Sequence, residues 1–165
     1  MTSFTASTPA AELLVRKTID VAAPPARAFA VFTDQMATWW PLESHHVGRV
    51  AARDVVIEPR AGGRWLERGV DGSECVWGHV RVWEPPTRVV LSWELGADFR
   101  PDARIQTEVE VRFIAVGSTS TRVELEHRRL EAYGELAGKM RATFDSDGGW
   151  TSLVAAYAKA TDATG

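Results

Sequence analysis

The chain contains seven tryptophans in 165 residues, and their placement constrains the fold more than any other feature. Tryptophan has a large side chain that usually buries most of its surface and keeps its indole N–H close to a partner. Most of the seven fall in strand-like segments rather than on the faces of helices. This distribution indicates a curved sheet around an aromatic interior, with a small-molecule pocket inside it; the alternative is a thick core without a pocket. The tryptophans are Trp39, Trp40, Trp65, Trp77, Trp83, Trp93 and Trp150.

Alternation of apolar and polar residues predicts the strands of this sheet. The first strand runs from Leu13 to Val21, and Pro24-Pro25 then opens the first of two short helices. About six antiparallel strands follow, at 54–58, 63–68, 75–84, 88–95, 104–115 and 121–128. The spacing of apolar residues from Trp150 to Thr161 predicts a C-terminal helix with one buried stripe. The fold class is therefore α+β.

Composition predicts a single domain over residues 12–165, after a flexible N-terminal tail at residues 1–11. The formal net charge is −3, and the basic residues are scattered, which favours neither nucleic acid nor an anionic membrane as a partner. No apolar stretch is long enough for a membrane span. Cys75 is the only cysteine, so no disulfide can form within the chain, and a cytoplasmic location is expected.

Several segments, in this order, resemble the helix-grip (START/Bet v 1-like) fold of the START-like (SRPBCC) superfamily, and within it the activator of Hsp90 ATPase homolog 1-like (AHSA1) family. The segments are VRKTIDVAAPPARAFAVFTD, WW, IEPRAGGRW, GHVRVWEPPTRVVLSW, TRVELEHRRL and GGW. The resemblance covers roughly residues 13–160. It implies a curved antiparallel sheet of about six to seven strands wrapped around a long C-terminal helix, with two short helices after the first strand.

The resemblance also implies a hydrophobic cavity between the sheet and the C-terminal helix, but no shared set of catalytic residues. His127 shares an apolar strand face with Val123 and Leu125, so it is either a polar anchor or general base in the cavity or a satisfied core histidine. By family position, the residues expected to line the cavity beside His127 are Trp39, Trp40, Trp65, Trp93, Phe113 and Trp150.

The strand at 75–84 can face the interior in two ways. If its valines point inward, Trp77 and Trp83 form an exposed aromatic patch of the kind that marks partner contacts. If its tryptophans point inward, His79 and Arg81 are buried and need partners. The aliphatic character of the neighbouring strands favours the first arrangement.

Other chemistry is not indicated. The adjacent His45 and His46 would point apart on a strand, and no further ligand lies at a telling spacing, so neither a metal nor a cofactor is expected. Four strand carboxylates are interpreted as solvated, namely Glu58, Glu67, Glu74 and Glu84. No nucleophile elbow or phosphate-binding loop is present.

The function expected from these observations is the binding of a small hydrophobic or aromatic ligand, with no assigned catalysis. One alternative is a cyclase-, dehydratase- or hydrolase-like enzyme acting on an aromatic or polyketide-like substrate. Another is a protein-interaction module related to Hsp90 co-chaperones. A homodimer and a chaperone partner both stay open.

Overall fold

Seven antiparallel strands form one curved sheet in the computed structural model, which describes residues 13–164. The strand order across the sheet is β1-β7-β6-β5-β4-β3-β2. Their bounds are β1 Val15–Val21, β2 Ala52–Ile57, β3 Arg64–Gly69, β4 Glu74–Glu84, β5 Arg88–Trp93, β6 Thr107–Gly117 and β7 Ser120–Arg128. The predicted α+β helix-grip architecture is confirmed. The predicted N-terminal tail lies outside the described residues.

The helical segments lie after β1 and after β7. Helix α1, Pro25–Thr33, begins with a proline in its first turn, and a 3-10 turn follows at Met36–Thr38. The long C-terminal helical segment begins with a 3-10 turn at Leu130–Leu136 and continues as helix α2, Ala137–Asp145. A π-type turn at Asp147–Thr151 then leads into helix α3, Ser152–Thr164. None of these helices is long and apolar enough to cross a membrane.

The break between α2 and α3 depends on Gly149. Its backbone is not helical, at φ −104° and ψ −136°. A Cβ atom at this position would lie 2.3 Å from the carbonyl oxygen of Phe144, closer than any non-bonded contact allows. Glycine therefore permits the last turn of α2 to press against the start of α3.

The clean alternation of β6 and β7 places their apolar residues on the inner face of the sheet. Val109 pairs with His127 and Phe113 pairs with Val123, and all four side chains are buried. The apolar stripe of the C-terminal helix packs onto this face. In that helix, the Tyr157 hydroxyl donates a 2.8 Å hydrogen bond to the carbonyl of Ala28 in α1. The core thus lies between the sheet, α1 and α3.

Strand β4 departs from the expected alternation, and the prediction that Trp77 and Trp83 are exposed is wrong. Two bulges interrupt the strand: Trp77 is the extra residue opposite β3, and Arg81 is the extra residue opposite β5. Each bulge shifts the side-chain parity by one residue. Trp77, Val80 and Trp83, spaced by three, consequently all face the interior, and Trp83 packs edge-on against Phe29 in α1.

Candidate functional site

A cavity of about 250 Å³ opens where the loop at 41–50, strands β4 and β5, and the break between α2 and α3 meet. Its lining is mostly aromatic and aliphatic. The lining residues are Trp40, Ser44, His45, His46, Val47, Trp77, Trp93, Leu95, Phe99, Thr143, Phe144, Gly148, Gly149, Trp150 and Leu153. None of these side chains carries a carboxylate, ammonium or guanidinium group. Such a cavity suits a compact, uncharged ligand.

Tryptophans from four parts of the chain meet in the wall of the cavity. The Trp40 ring lies 5.1 Å from Trp77 and 6.1 Å from Trp150, measured between ring centroids. Trp93 lies 6.1 Å from Trp150. Three of the expected lining residues, Trp40, Trp93 and Trp150, are thus brought together on the cavity.

The other expected aromatic residues lie away from the lining. Trp65 is fully buried behind the wall, 5.4 Å from Trp77 and 5.7 Å from Trp93. Trp39 and Phe113 instead pack around Phe32 in α1, with ring centroids 5.2 and 6.0 Å away from it. Their position belongs to the core between α1 and the sheet.

His127 is fully buried and stands in a continuous chain of hydrogen bonds. The Trp150 indole N–H donates to Nδ1 of His127 over 3.1 Å, which places the ring proton on Nε2. Nε2 then donates to Thr107 Oγ1 over 2.9 Å, and the Thr107 hydroxyl donates to the carbonyl of Trp93. Burial lowers the pKa of His127 from 6.5 to about 3. The ring is therefore neutral, and both of its nitrogens are engaged.

The loop at 41–50 forms one side of the cavity mouth and is fastened to the helix break. His45 Nε2 lies 2.7 Å from the carbonyl oxygen of Gly148 and donates to it, because a carbonyl can only accept. Nδ1 of the same ring is hydrogen-bonded to the Ser44 hydroxyl over 2.8 Å. Trp40 donates its indole N–H to the His45 carbonyl over 2.9 Å. These bonds hold the histidine side chain at the rim.

Glu67 holds the same loop through hydrogen bonds. The prediction that Glu67 is a solvated strand residue is wrong. The residue is 1% exposed. Its carboxylate accepts hydrogen bonds from the backbone N–H groups of Val47 and Gly48, at 2.5 and 2.9 Å. It also accepts from the Trp77 indole N–H at 2.9 Å. One carboxylate therefore fixes both the loop and a tryptophan of the cavity wall.

Sequence reasoning missed several lining residues. A regular β4 predicts Trp77 on the outer face, whereas the bulge turns it inward. Phe144 lies in α2, and no signal in the sequence distinguishes it from an ordinary core residue. For Phe99 the sequence predicts only a loop. In residues 13–164, no group of three or more His, Cys, Asp or Glu side chains is arranged to hold a metal ion.

Comparisons with known proteins agree with this architecture. The profile of the family described as activator of Hsp90 ATPase homolog 1-like protein matches residues 22–160. The chain is 36% identical to the anthrahydroquino-γ-pyrone synthase Txn09, over 88% of this chain and 95% of that chain, with a TM-score of 0.62. It is 30% identical to CalC from Micromonospora echinospora, a self-sacrificing resistance protein, over 92% and 96% of the two chains, with a TM-score of 0.70.

A third structure, protein NE0264 from Nitrosomonas europaea, is 16% identical over 94% of this chain and 97% of that chain, with a TM-score of 0.64, and shows the fold alone. No curated protein sequence matches the chain. The family profile spans most of the chain, and two solved relatives reach 30% identity or more over nearly their whole length. The chain therefore belongs to the activator of Hsp90 ATPase homolog 1-like (AHSA1) family of the START-like (SRPBCC) superfamily.

Proposed function

We propose that this protein binds a flat, largely uncharged aromatic small molecule in the cavity at the helix break. The observation that carries the proposal is the lining itself: tryptophan and phenylalanine rings form the wall, and the polar groups lie at the rim. Aromatic faces favour stacked or edge-on contacts with another ring system. The cavity volume of about 250 Å³ lies just below the range for small-molecule pockets, about 300–1,000 Å³, so the ligand must be compact.

One relative supports the same ligand class. The name of Txn09 describes the synthesis of an anthrahydroquino-γ-pyrone, which is a fused-ring compound. The description of CalC, a self-sacrificing resistance protein, names no ligand. A fused-ring aromatic ligand is therefore the chemistry we assign to the cavity of this chain.

Binding without turnover is favoured by the state of His127. A general base must reach the proton that it abstracts from the substrate. Both nitrogens of His127 are occupied by Trp150 and Thr107, and the ring does not contribute to the cavity lining. Its role in this proposal is to orient Trp150, which does line the cavity.

Equilibrium dialysis with 1,8-dihydroxyanthraquinone tests the proposal without relying on tryptophan fluorescence. We expect saturable binding with one site per chain. Trp93→Leu should weaken binding by about 5–10-fold, because it removes one aromatic face of the wall. Trp83→Leu is the matched control, since Trp83 packs against Phe29 and not on the cavity. Absence of saturable binding, or equal losses in the two variants, would contradict the proposal.

A second candidate is an enzyme acting on the same class of compound, favoured by the two histidines at the rim and by the synthase among the relatives. Here His46, which lines the cavity and is bonded to the Gly48 carbonyl through Nδ1, would exchange a proton with the bound substrate through Nε2. Mass spectrometry of the recovered probe distinguishes the two: an altered mass that disappears in His46→Ala indicates turnover, and an unaltered mass indicates binding alone. A cytoplasmic location, a homodimer and a single domain over residues 12–165 remain proposals with either function.

A further inference from the structure

Phe99 lies in the loop between β5 and β6, and it combines three properties that occur together at no other residue of the described range. It lines the cavity. The residue is 39% exposed, more than any other phenylalanine, tyrosine or tryptophan in residues 13–164. Its backbone has φ +59°, in the left-handed region that residues with a Cβ atom avoid.

The left-handed conformation is built into the loop. The Phe99 N–H donates to the carbonyl of Gly96, and the Gly96 N–H donates to the carbonyl of Arg100, each over 2.9 Å. The Asp98 carboxylate accepts from the Arg100 N–H over 3.0 Å. Below the loop, the Tyr133 hydroxyl donates to the Leu95 carbonyl over 2.7 Å. A backbone held in this way fixes the direction in which the Phe99 side chain leaves the loop.

The ring extends the aromatic wall to the mouth of the cavity. It meets Phe144 edge-on at 6.2 Å, and Phe144 in turn lies 5.3 Å from Trp93. Glycine or asparagine would satisfy the backbone of such a loop better than phenylalanine. The side chain therefore has a purpose that the loop conformation alone does not explain.

Two other residues share one property each with Phe99, but neither of them lines the cavity. Leu136 is more exposed, at 45%, but its backbone is unstrained and it does not line the cavity. Arg129 is also left-handed, at φ +64°, but it lies away from the cavity, near Glu108 at the end of β7.

We propose that Phe99 is the outer stacking face for the ligand, so that the site selects flat fused-ring aromatics over flexible aliphatic molecules of similar size. This inference rests on the proposed function. A flat ligand would lie with one end against the tryptophan wall and its outer ring against Phe99. An aliphatic chain would still occupy the apolar interior but gains no stacking energy from the phenylalanine ring.

The test compares two probes, 1,8-dihydroxyanthraquinone and dodecan-1-ol, by equilibrium dialysis. Phe99→Leu keeps apolar volume but removes the aromatic face. We expect it to weaken binding of the anthraquinone about 3–10-fold and to change binding of the alcohol by less than about twofold. Phe99→Gly should weaken anthraquinone binding similarly while relieving the backbone. Arg129→Gly, the control for backbone relief, should leave both affinities unchanged.

The outcomes separate this inference from the proposed function. If the unmodified protein binds neither probe, the proposed function fails and the inference falls with it. If the protein binds the anthraquinone and Phe99→Leu binds it equally well, only the inference is overturned. Equal weakening of both probes also overturns it, because Phe99 would then supply apolar area and no selectivity for flat rings.

Discussion

Acid should destabilise this protein through His127 in a pH range where few other groups contribute. In the folded chain, burial lowers the pKa of His127 to about 3, so the ring stays neutral. In the unfolded chain the ring takes up a proton as the pH falls below its ordinary pKa, 6.5. Between these values the unfolded state binds more protons than the folded state, so stability falls as the pH falls.

The size of the effect follows from the difference between the two pKa values. One pKa unit corresponds to about 1.4 kcal/mol. At pH 5, which is about 1.5 pH units below the unfolded pKa, the loss in the free energy of unfolding should be about 2 kcal/mol. It approaches about 5 kcal/mol near pH 3. Glu58 and Glu110, whose pKa values are lowered to about 2 by neighbouring arginines, contribute only below the ordinary carboxyl pKa of 4.5.

Urea unfolding at a series of pH values between about 7 and 5 measures this slope. His127→Gln is the matched variant, because its amide can accept from Trp150 and donate to Thr107 without titrating. We expect the variant to lose absolute stability but to show a flatter dependence on pH. A flat profile for the unmodified protein, or the same slope in both proteins, would refute the assignment of His127 as a neutral buried group.

Two further predictions concern the walls of the cavity. Gly149→Ala should lower the free energy of unfolding by about 1–3 kcal/mol, because its Cβ atom would collide with the Phe144 carbonyl. Gly148→Ala, whose Cβ atom would meet nothing closer than 4.0 Å, should be close to neutral in the same urea titration, and equal effects would contradict the packing argument. Glu67→Gln should cost about 1–3 kcal/mol and weaken binding of 1,8-dihydroxyanthraquinone, because an amide cannot accept from all three donors that the carboxylate serves. Unchanged stability and unchanged binding in the dialysis assay would show that the carboxylate does not fix the loop.

Sequence reasoning predicts the fold best where one sheet face is apolar and the other is charged. In β6 and β7 the alternation is visible because valines and phenylalanine meet the helices, while Glu110 on the outer face binds the side chains of Arg88 and Arg128. In β4 the same rule fails, because the positions of its bulges depend on pairing with two neighbouring strands. Helix α2 escaped prediction because its buried residues, Ala137, Met140 and Phe144, form only a short stripe.

The candidate site was less predictable, for reasons that lie in distant contacts. Whether a tryptophan faces the cavity or packs behind it depends on where the loop at 41–50 crosses the wall. That path is fixed by Glu67, 20 residues from Val47 in the chain, and by the bond between His45 and Gly148, which are 103 residues apart. Neither contact produces a pattern among neighbouring residues of the sequence from which it could be predicted. The backbone strain at Phe99 is likewise invisible in the residue type.

The two bulges in β4 also determine how this strand responds to substitutions and to single-residue deletions. A substitution leaves the parity of every other residue intact, so its damage stays local. A single-residue deletion between Val80 and Trp83 would remove one bulge and leave these two residues at the spacing of a regular strand, so both side chains could still face the interior. Deletion of His79, which lies between the two bulges, would instead reverse the facing of Val80 relative to Trp77. We therefore expect β4 to accept a deletion at its second bulge more readily than one between the bulges.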